Sequence, residues 1–268
     1  MPDQAPNQTS DQQSVEKSDQ NSDQAENLSL EERKALSRNH VFGRRQGHPL
    51  HEYHLSLMEN LLPKVTLPPL GDVAPGSLDP KTFFSKGLGP QSVSQVWLEI
   101  GFGGGEHLAH QAAANPEVGF IGCEPFINGV AKLLNEIEDR SLTNVRVQAD
   151  DARPVLASLE TASVHKCFLL YPDPWHKKRH KKRRFISVAN LDQLARILVP
   201  GAIMRVASDI PDYCEWTLEH MDAHPAFQLS RHSAADCRTP PADWLSTRYE
   251  AKALREGRTP SYFDFERL

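Results

Sequence analysis

Acidic side chains follow the ends of successive apolar segments in this sequence, and carboxylates in that pattern suit a cationic or hydroxyl-bearing ligand. The segments are short and rich in β-branched residues, which is typical of buried strands. Because the carboxyl ends of parallel strands meet at one edge of an open α/β sheet, ligands bind at that edge. The sequence therefore predicts one site formed by five acids, namely Glu99 (or its loop), Glu124, Asp151, Asp173 and Asp209.

A glycine-rich turn separates the first apolar segment from the helix that should follow it. The stretch reads VWLEIGFGGGEHL, in which Gly101, Gly103 and Gly105 alternate. A dinucleotide fingerprint would place its third glycine at Glu106. The pyrophosphate of a dinucleotide binds at the helix N-terminus, where Glu99 and Glu106 would repel it. S-adenosylmethionine, which carries an ammonium group and no phosphate, fits this turn better; a structural turn in another α/β protein is the alternative.

Two acids further along suit the adenosine part of such a ligand. Glu124 lies about 20 residues beyond the glycine turn, where an acidic residue commonly accepts hydrogen bonds from ribose hydroxyls. Asp151 follows the third predicted strand and could accept from an adenine amino group, with Asp150 as the alternative. Two adjacent acids are also typical of a helix N-cap.

Asp173 lies between two prolines at the end of the fourth predicted strand. Pro172 and Pro174 restrict the backbone and lack N–H donors, so they hold the carboxylate in a stiff turn. Trp175 follows, and it could pack over a base or cover the edge of the core.

A basic run follows this turn. Seven of the eight residues 177–184 are Lys or Arg, whereas the whole chain has a net charge of −5. Charge of this density beside a predicted site favours phosphate binding, although many charge runs are only solvated surface. His176 and His180 have the spacing of metal ligands on a helix. No acid completes the set and the neighbouring cations oppose a metal, so no metal site is expected.

Six motifs together resemble the bacterial tRNA (guanine-N7-)-methyltransferases, from about Gln95 to the C-terminus. They are LEIGFGGG, GCEP, DDA, YPDPWHKKRHKKRR, ASD and TRYE. The resemblance implies a Rossmann-like class I methyltransferase, an α/β fold with a seven-stranded, mostly parallel sheet, helices on both faces and an antiparallel last strand. It implies S-adenosyl-L-methionine as the cofactor and the variable-loop guanosine (position 46) of tRNA as the target.

The resemblance also implies roles for individual residues. Asp173 would be catalytic. The cofactor would be bound by Glu99, Gly101, Gly103, Glu124, Asp151 and Asp173. The substrate would be bound by Lys177, Asp209, Thr247, Arg248, Tyr249 and Glu250, although the TRYE segment could also be a helix cap. The RNA contacts expected from the basic run are Arg179, His180, Lys181, Lys182, Arg183 and Arg184.

Guanine N7 is an acceptor with a free lone pair and no proton. Its attack on a methyl carbon needs no general base, so His176 is not required as one. We expect Asp173 to orient the base by accepting from guanine N1–H and the exocyclic amine.

The composition divides the 268 residues into three parts. Residues 1–28 are expected to be a disordered acidic tail, because they lack large apolar side chains. Residues 29–94 are expected to form an arm packed on the core, with a helix after Ser29 and a basic stretch at 33–46 that could touch RNA. Residues 95–268 form the expected methyltransferase domain, with a helix over 185–198 that buries Ile186, Ala189, Leu194 and Ile197.

No segment reads as a signal peptide or a membrane span, and the four cysteines form no CxxC pair. We therefore expect a cytoplasmic protein with free thiols, a monomer or homodimer that binds tRNA and no membrane. Two alternatives stay open: a nicotinamide dehydrogenase, which Glu106 disfavours, and a non-catalytic RNA-binding protein, which would not explain the row of acids.

Overall fold

Residues 43–70, 73–85, 92–230 and 236–268 are described by a computed structural model. The expected acidic tail, the helix expected after Ser29 and most of the basic stretch 33–46 lie outside the described residues. Within them the strands are β1 (Gln95–Ile100), β2 (Val118–Cys123), β3 (Val145–Gln148), β4 (Val164–Leu170), β5 (Leu198–Ser208), β6 (Phe227–Leu229) and β7 (Ser261–Arg267). The α-helices are α1 (Glu52–Asn60), α2 (Leu62–Val65), α3 (Glu106–Ala114), α4 (Ile127–Asp139), α5 (Ala152–Ser158), α6 (Val188–Ile197), α7 (Pro211–Asp222) and α8 (Arg248–Arg255).

The strands form one seven-stranded sheet in the order β3-β2-β1-β4-β5-β7-β6. Strands β1 to β5 pair in parallel, and β7 runs antiparallel to both of its neighbours. The expected sheet and its antiparallel last strand are therefore confirmed. Ile100 pairs with Cys123 on one side and Leu169 on the other, so the strand ends that precede the predicted acids align at one edge.

Helices cover both faces of the sheet because its central strands are apolar on both sides. Leu98 and Ile121 belong to one hydrophobic cluster with side chains of α5, α6 and α7. Trp97 and Phe120 directly precede Leu98 and Ile121, so their side chains point to the opposite face of the sheet. They belong to a second cluster with side chains of α3 and α4. The expected helices on both faces are thus confirmed. None of the helices described is long and apolar enough to cross a membrane.

The helix expected over residues 185–198 is shorter than predicted. Helix α6 begins at Val188, and β5 already begins at Leu198. Ile186 is buried in the segment before the helix, but Ala189 is exposed, so the predicted burial of Ala189 was wrong. The sequence Pro200-Gly201 lies within β5, where the pairing with β4 shifts register and Gly201 takes a φ of +80°.

The described part of the arm, residues 43–70, 73–85 and 92–94, contains the helices α1 and α2 and contacts the sheet domain. Leu57 of α1 and Val65 of α2 join the second hydrophobic cluster. Thr66 pairs with Val147 as an isolated parallel bridge beside the edge strand β3. Phe84 is fully buried against Gly119, where an added Cβ would come within 2.5 Å of the ring.

We expect Asn144→Ala to lower the free energy of unfolding by about 2 kcal/mol, because buried carbonyls would lose their donor. The Asn144 side-chain nitrogen donates to the carbonyls of Ala112 (3.0 Å), Asn115 (3.1 Å) and Val118 (2.9 Å). Chemical denaturation measures the change. Asn135→Ala, which removes only an exposed bond to Asp139, is the control, and an equal loss in the two variants would contradict the prediction.

Candidate active site

The glycine turn between β1 and α3 has a backbone that other residues adopt only with strain. Gly101, Gly103 and Gly105 have φ values of 72°, 59° and 79°, a left-handed region that favours glycine. An added Cβ at Gly101 would meet nothing within 4 Å. The turn therefore presents bare backbone at the edge of the sheet.

Two helices approach this turn so closely that side chains are excluded. A Cβ at Gly129 in α4 would lie 2.1 Å from the carbonyl oxygen of Gly103. A Cβ at Gly103 would lie 2.9 Å from the ring of Tyr249 in α8. The turn is consequently held between α4 and α8.

Glu124 ties the turn to the end of β2. Its carboxylate accepts hydrogen bonds from the backbone N–H of Gly103 (2.7 Å) and of Phe126 (2.9 Å). Burial raises the pKa of Glu124, these two bonds oppose the increase, and the charges of Asp173 and Glu99 add to it. The structure therefore brings Glu99 and Asp173 close enough to Glu124 for their charges to act on it.

Asp173 lies on a sharp turn at the rim of the site. Tyr171 and Trp175, on either side of the two prolines, have positive φ values of 50° and 45°. The Asp173 side chain is exposed, yet the protein around its carboxyl desolvates it and raises its pKa. No cation or hydrogen-bond donor pairs with this carboxylate in the part of the chain that the structure describes.

Asp150 and Asp151 each have partners of their own. Asp151 is the N-cap of α5 and forms an ion pair with Arg153 at 2.6 Å, so the capping alternative applies to it. Asp150 accepts from the backbone N–H of Asp151 (2.8 Å) and pairs with Arg45 at 3.0 Å. The geometry does not choose between them as an adenine contact.

The TRYE segment at the start of α8 divides into two inward and two outward residues. Thr247 is the N-cap and accepts from the N–H of Glu250, as the capping alternative expected. Glu250 is buried and accepts from Trp244 Nε1 (2.7 Å) and from the hydroxyl of Tyr262. Both oxygens of its carboxylate bond protein donors, so Glu250 fixes the start of α8.

Arg248 and Tyr249 point the other way, over the glycine turn. Arg248 Nε donates to Glu106 Oε1 at 2.6 Å. Tyr249 is half exposed, and Glu124 and Asp173 are close enough for their charges to raise the pKa of its hydroxyl, after the main effect of burial. A cavity opens between the turn and α8, lined by Glu99, Gly101, Phe102, Glu106, His107, Leu170, Tyr171, Thr247 and Tyr249.

Asp209, expected to contact substrate, is neutralised by Arg258, whose Nε lies 2.5 Å from Asp209 Oδ2. Sequence reasoning missed this arginine. It also missed Asp243, which pairs with Arg205 (2.6 Å) and Lys166 (3.0 Å) and holds the loop before α8 on the sheet. Burial raises the pKa of Asp243, but the bonds and charges of Arg205 and Lys166 outweigh it and lower the pKa to about 2. No sequence signal pointed to these pairs, because the partners are far apart along the chain.

The basic run contains both surface and buried cations. Lys178–Arg183 forms a 3₁₀ helix, with Lys177, Lys178, Arg179 and Lys182 exposed. The prediction that Arg184 contacts RNA was wrong. Its guanidinium is buried over Trp216, bonds the carboxylate of Asp212 and donates to the carbonyl of Pro174 at 2.8 Å.

Three other members of the run are less free than expected. Lys181 pairs with Asp212 at 2.5 Å. Arg183 lies over the ring of Trp175 at 5.0 Å, and His180 meets the same ring edge-on. Desolvation and cationic neighbours lower the pKa of His180. Among the described residues, no group of three potential ligands could hold a metal ion.

Comparisons with known proteins agree with this geometry. Residues 93–261 match the profile of a family described as a putative methyltransferase (Methyltransf_4). A tRNA (guanine-N(7)-)-methyltransferase of Rhizobium meliloti is 51% identical over 88% of this chain and 99% of its own length. One of Rhodospirillum rubrum is 49% identical over 84% of this chain and 87% of its own. The solved structure of PH0851 aligns with a TM-score of 0.50 and 12% identity over 80% of this chain and 45% of its own, which bears on the fold alone.

We expect Gly129→Ala to cost about 2 kcal/mol of stability, because the new methyl group would force α4 away from the Gly103 carbonyl. The matched control is Lys132→Ala, one turn further along the same helix, where the side chain is exposed. Urea denaturation of both variants measures the difference. A Gly129→Ala protein as stable as the control would contradict the close approach.

Proposed function

Because the chain belongs to the tRNA (guanine-N(7)-)-methyltransferase family, we propose that it methylates N7 of the variable-loop guanosine (position 46) of tRNA. The methyl donor is S-adenosyl-L-methionine. The observation that carries the proposal is the bare glycine turn beside three clustered carboxylates, next to an exposed cationic surface. A cationic cofactor and a polyanionic substrate suit these two surfaces respectively.

The residues at the strand edge fit the donor. It carries a sulfonium and an ammonium group, and the carboxylates of Glu124 and Asp173 have no cation paired with them among the described residues. The left-handed glycines leave the backbone open to close approach. In the proposed site Glu124 accepts from the ribose hydroxyls, Glu99 faces the charged amino-acid part, and Asp150 or Asp151 contacts the adenine. When bound, the donor supplies an electrophilic methyl group.

Asp173 serves mainly to orient the base. Guanine N7 carries no proton, so no side chain has to remove one. A carboxylate near a cationic donor attracts reactant and transition state almost equally, and most of this attraction does not lower the barrier. The stiff Asp173 carboxylate, which has no partner among the described residues, can instead accept from guanine N1–H and the exocyclic amine, which places N7 towards the methyl group.

The remaining substrate contacts are assigned to side chains that are exposed to solvent. We define the basic strip as the exposed Lys177, Lys178, Arg179 and Lys182, and propose that it binds tRNA phosphates. Lys177 is the member nearest to Asp173 in the chain and suits a phosphate near the target nucleotide. Tyr249 and Arg248 are proposed to contact the nucleotide, with Thr247 and Glu250 holding them in place. Asp209 can contact the substrate only if it exchanges its bond to Arg258 for one to the substrate.

The direct test is to incubate the purified protein with tRNA and the donor, and to map modified nucleosides by mass spectrometry. The proposal expects N7-methylguanosine at position 46. A non-catalytic RNA-binding protein would bind tRNA and leave it unmodified, and methylation at another atom or position would replace the proposed target.

We expect Asp173→Asn to slow methyl transfer by about 100-fold under single turnover, because misplacement of a reacting group costs about this much. An amide oxygen accepts less strongly, and its NH2 group opposes the guanine donors. Asp222→Asn, at the exposed end of α7, is the control. An unchanged chemical step in Asp173→Asn would exclude the orienting role.

We expect the double variant Lys178→Ala/Lys182→Ala to weaken tRNA binding and to reduce the slope of log K against log salt by about 2, because each lysine that neutralises a phosphate contributes about one unit. Filter binding across a salt series measures both quantities. Lys64→Ala removes an exposed lysine on α2, away from the basic strip in the sequence, and should leave the slope unchanged. Equal slopes in all three proteins would remove the strip from the RNA surface.

We expect pH to act oppositely on the stability of the cofactor-free protein and on donor affinity, through Glu124. The pKa of Glu124 in the folded protein is raised above the ordinary value of 4.5, so the folded state holds the proton more tightly. This contribution to stability is lost as pH rises from 4.5 through the raised pKa. The donor needs the ionised carboxylate, so the affinity for the donor rises over the same pH range. Denaturation measures the stability and equilibrium dialysis measures the donor affinity, each as the difference between the wild type and Glu124→Gln. With rising pH the difference in stability should fall and the difference in affinity should rise.

A further inference from the structure

His107 forms a buried pair with Glu99 that the proposed chemistry does not yet use. The ring lies in the first turn of α3, and its Nδ1 is 2.7 Å from Glu99 Oε2. Both residues are only 2% exposed. The carboxylate is an acceptor, so Nδ1 carries the hydrogen. Among the described residues, His107 is the only side chain that gives Glu99 a hydrogen bond.

The ring is itself held in one orientation. It meets Phe168 of β4 edge-on, with ring centroids 4.7 Å apart at 69°, and it lies 5.6 Å from the ring of Trp244. Aromatic rings on two sides leave the imidazole little freedom to turn. The position of Glu99 Oε2 is therefore set by a rigid neighbour.

The second ring nitrogen shows that stability alone does not explain this histidine. Nε2 is buried and finds no hydrogen-bond partner in the described part of the chain. A buried polar atom without a partner is destabilising, and an apolar residue would fill the space without that penalty. Both His107 and Glu99 line the cavity between the glycine turn and α8.

We propose that His107 is a positioning residue, which holds Glu99 Oε2 and so directs the rest of that carboxylate towards the ammonium group of the bound donor. This inference rests on the proposed function, because it requires the donor in that cavity. Loss of this bond therefore affects donor binding and leaves tRNA binding intact.

A matched pair of amide variants isolates the nitrogen that matters. The Asn side chain places its NH2 group near the position of Nδ1, and Gln places it near that of Nε2. We expect His107→Gln to raise the Kd for S-adenosylmethionine about tenfold or more, and His107→Asn to stay within about threefold of the wild type. The KM for tRNA should not change in either variant. Equilibrium dialysis, steady-state kinetics and thermal midpoints of the intact chain supply the three readouts.

The Glu99→Gln background keeps the test valid if His107→Gln alone does not fold, because no buried charge is then left unpaired. Glu99→Gln should weaken donor binding. In this background, the double variants with His107→Gln and with His107→Asn should have the same donor affinity. Equal donor affinities of His107→Gln and His107→Asn with Glu99 intact, or a persistent difference without it, would overturn the inference. A wild-type protein that does not bind the donor would instead overturn the proposed function.

Discussion

The hydrogen bond from the Gly103 N–H to the Glu124 carboxylate joins the glycine turn to the neighbouring strand end. It links the turn after β1 to the end of β2 at 2.7 Å. Gly129 of α4 packs against the same glycine from one side, and Tyr249 of α8 covers it from another. A side chain at Gly129 would force α4 away from the Gly103 carbonyl, and one at Gly103 would displace the ring of Tyr249. The site therefore depends on glycines in three separate roles: positive φ, close helix approach and an open face.

Charge is separated between the inside and the outside of the site. The carboxylates of Glu99 and Asp173 lie close enough to Glu124 to repel it, and a cationic ligand would relieve this repulsion. The cations that are buried nearby serve other parts of the fold. Arg184 bonds Asp212 and the Pro174 carbonyl, so the last residue of the basic run anchors the turn that carries Asp173. The exposed strip is left with the cations that can meet phosphates.

The segment at the start of α8 uses helical spacing to perform two tasks. Thr247 and Glu250 are three residues apart and face inward, where the cap and the bonds to Trp244 and Tyr262 fix the helix. Arg248 and Tyr249 lie between them and face the glycine turn. The ion pairs of Asp243 hold the preceding loop on the sheet. The outward residues can therefore cover the turn without losing their alignment.

The sequence by itself determined the order of strands and helices, the glycine turn and the acids that follow the strands. Apolar periodicity is local: in α4 the buried residues Val130, Leu133, Leu134 and Ile137 recur at a spacing of three to four. The edge at which Glu99, Glu124 and Asp173 meet could also be inferred, because parallel strands align their carboxyl ends. Boundaries were less certain: a periodic pattern cannot show that β5 takes over at Leu198 or that Ala189 faces solvent.

Only the tertiary structure decided which of the similar side chains are free. Arg184 and Lys182 are both basic residues in one run, yet the first is buried against Trp216 and the second is exposed. Asp209 and Asp173 both end strands, yet Arg258 neutralises the first. Glu250 and Glu99 are buried acids, and the spacing to their aromatic and imidazole partners forms no recognisable motif. The physical reason is that ion pairs and hydrogen bonds depend on distances of a few ångströms between elements, which only packing sets.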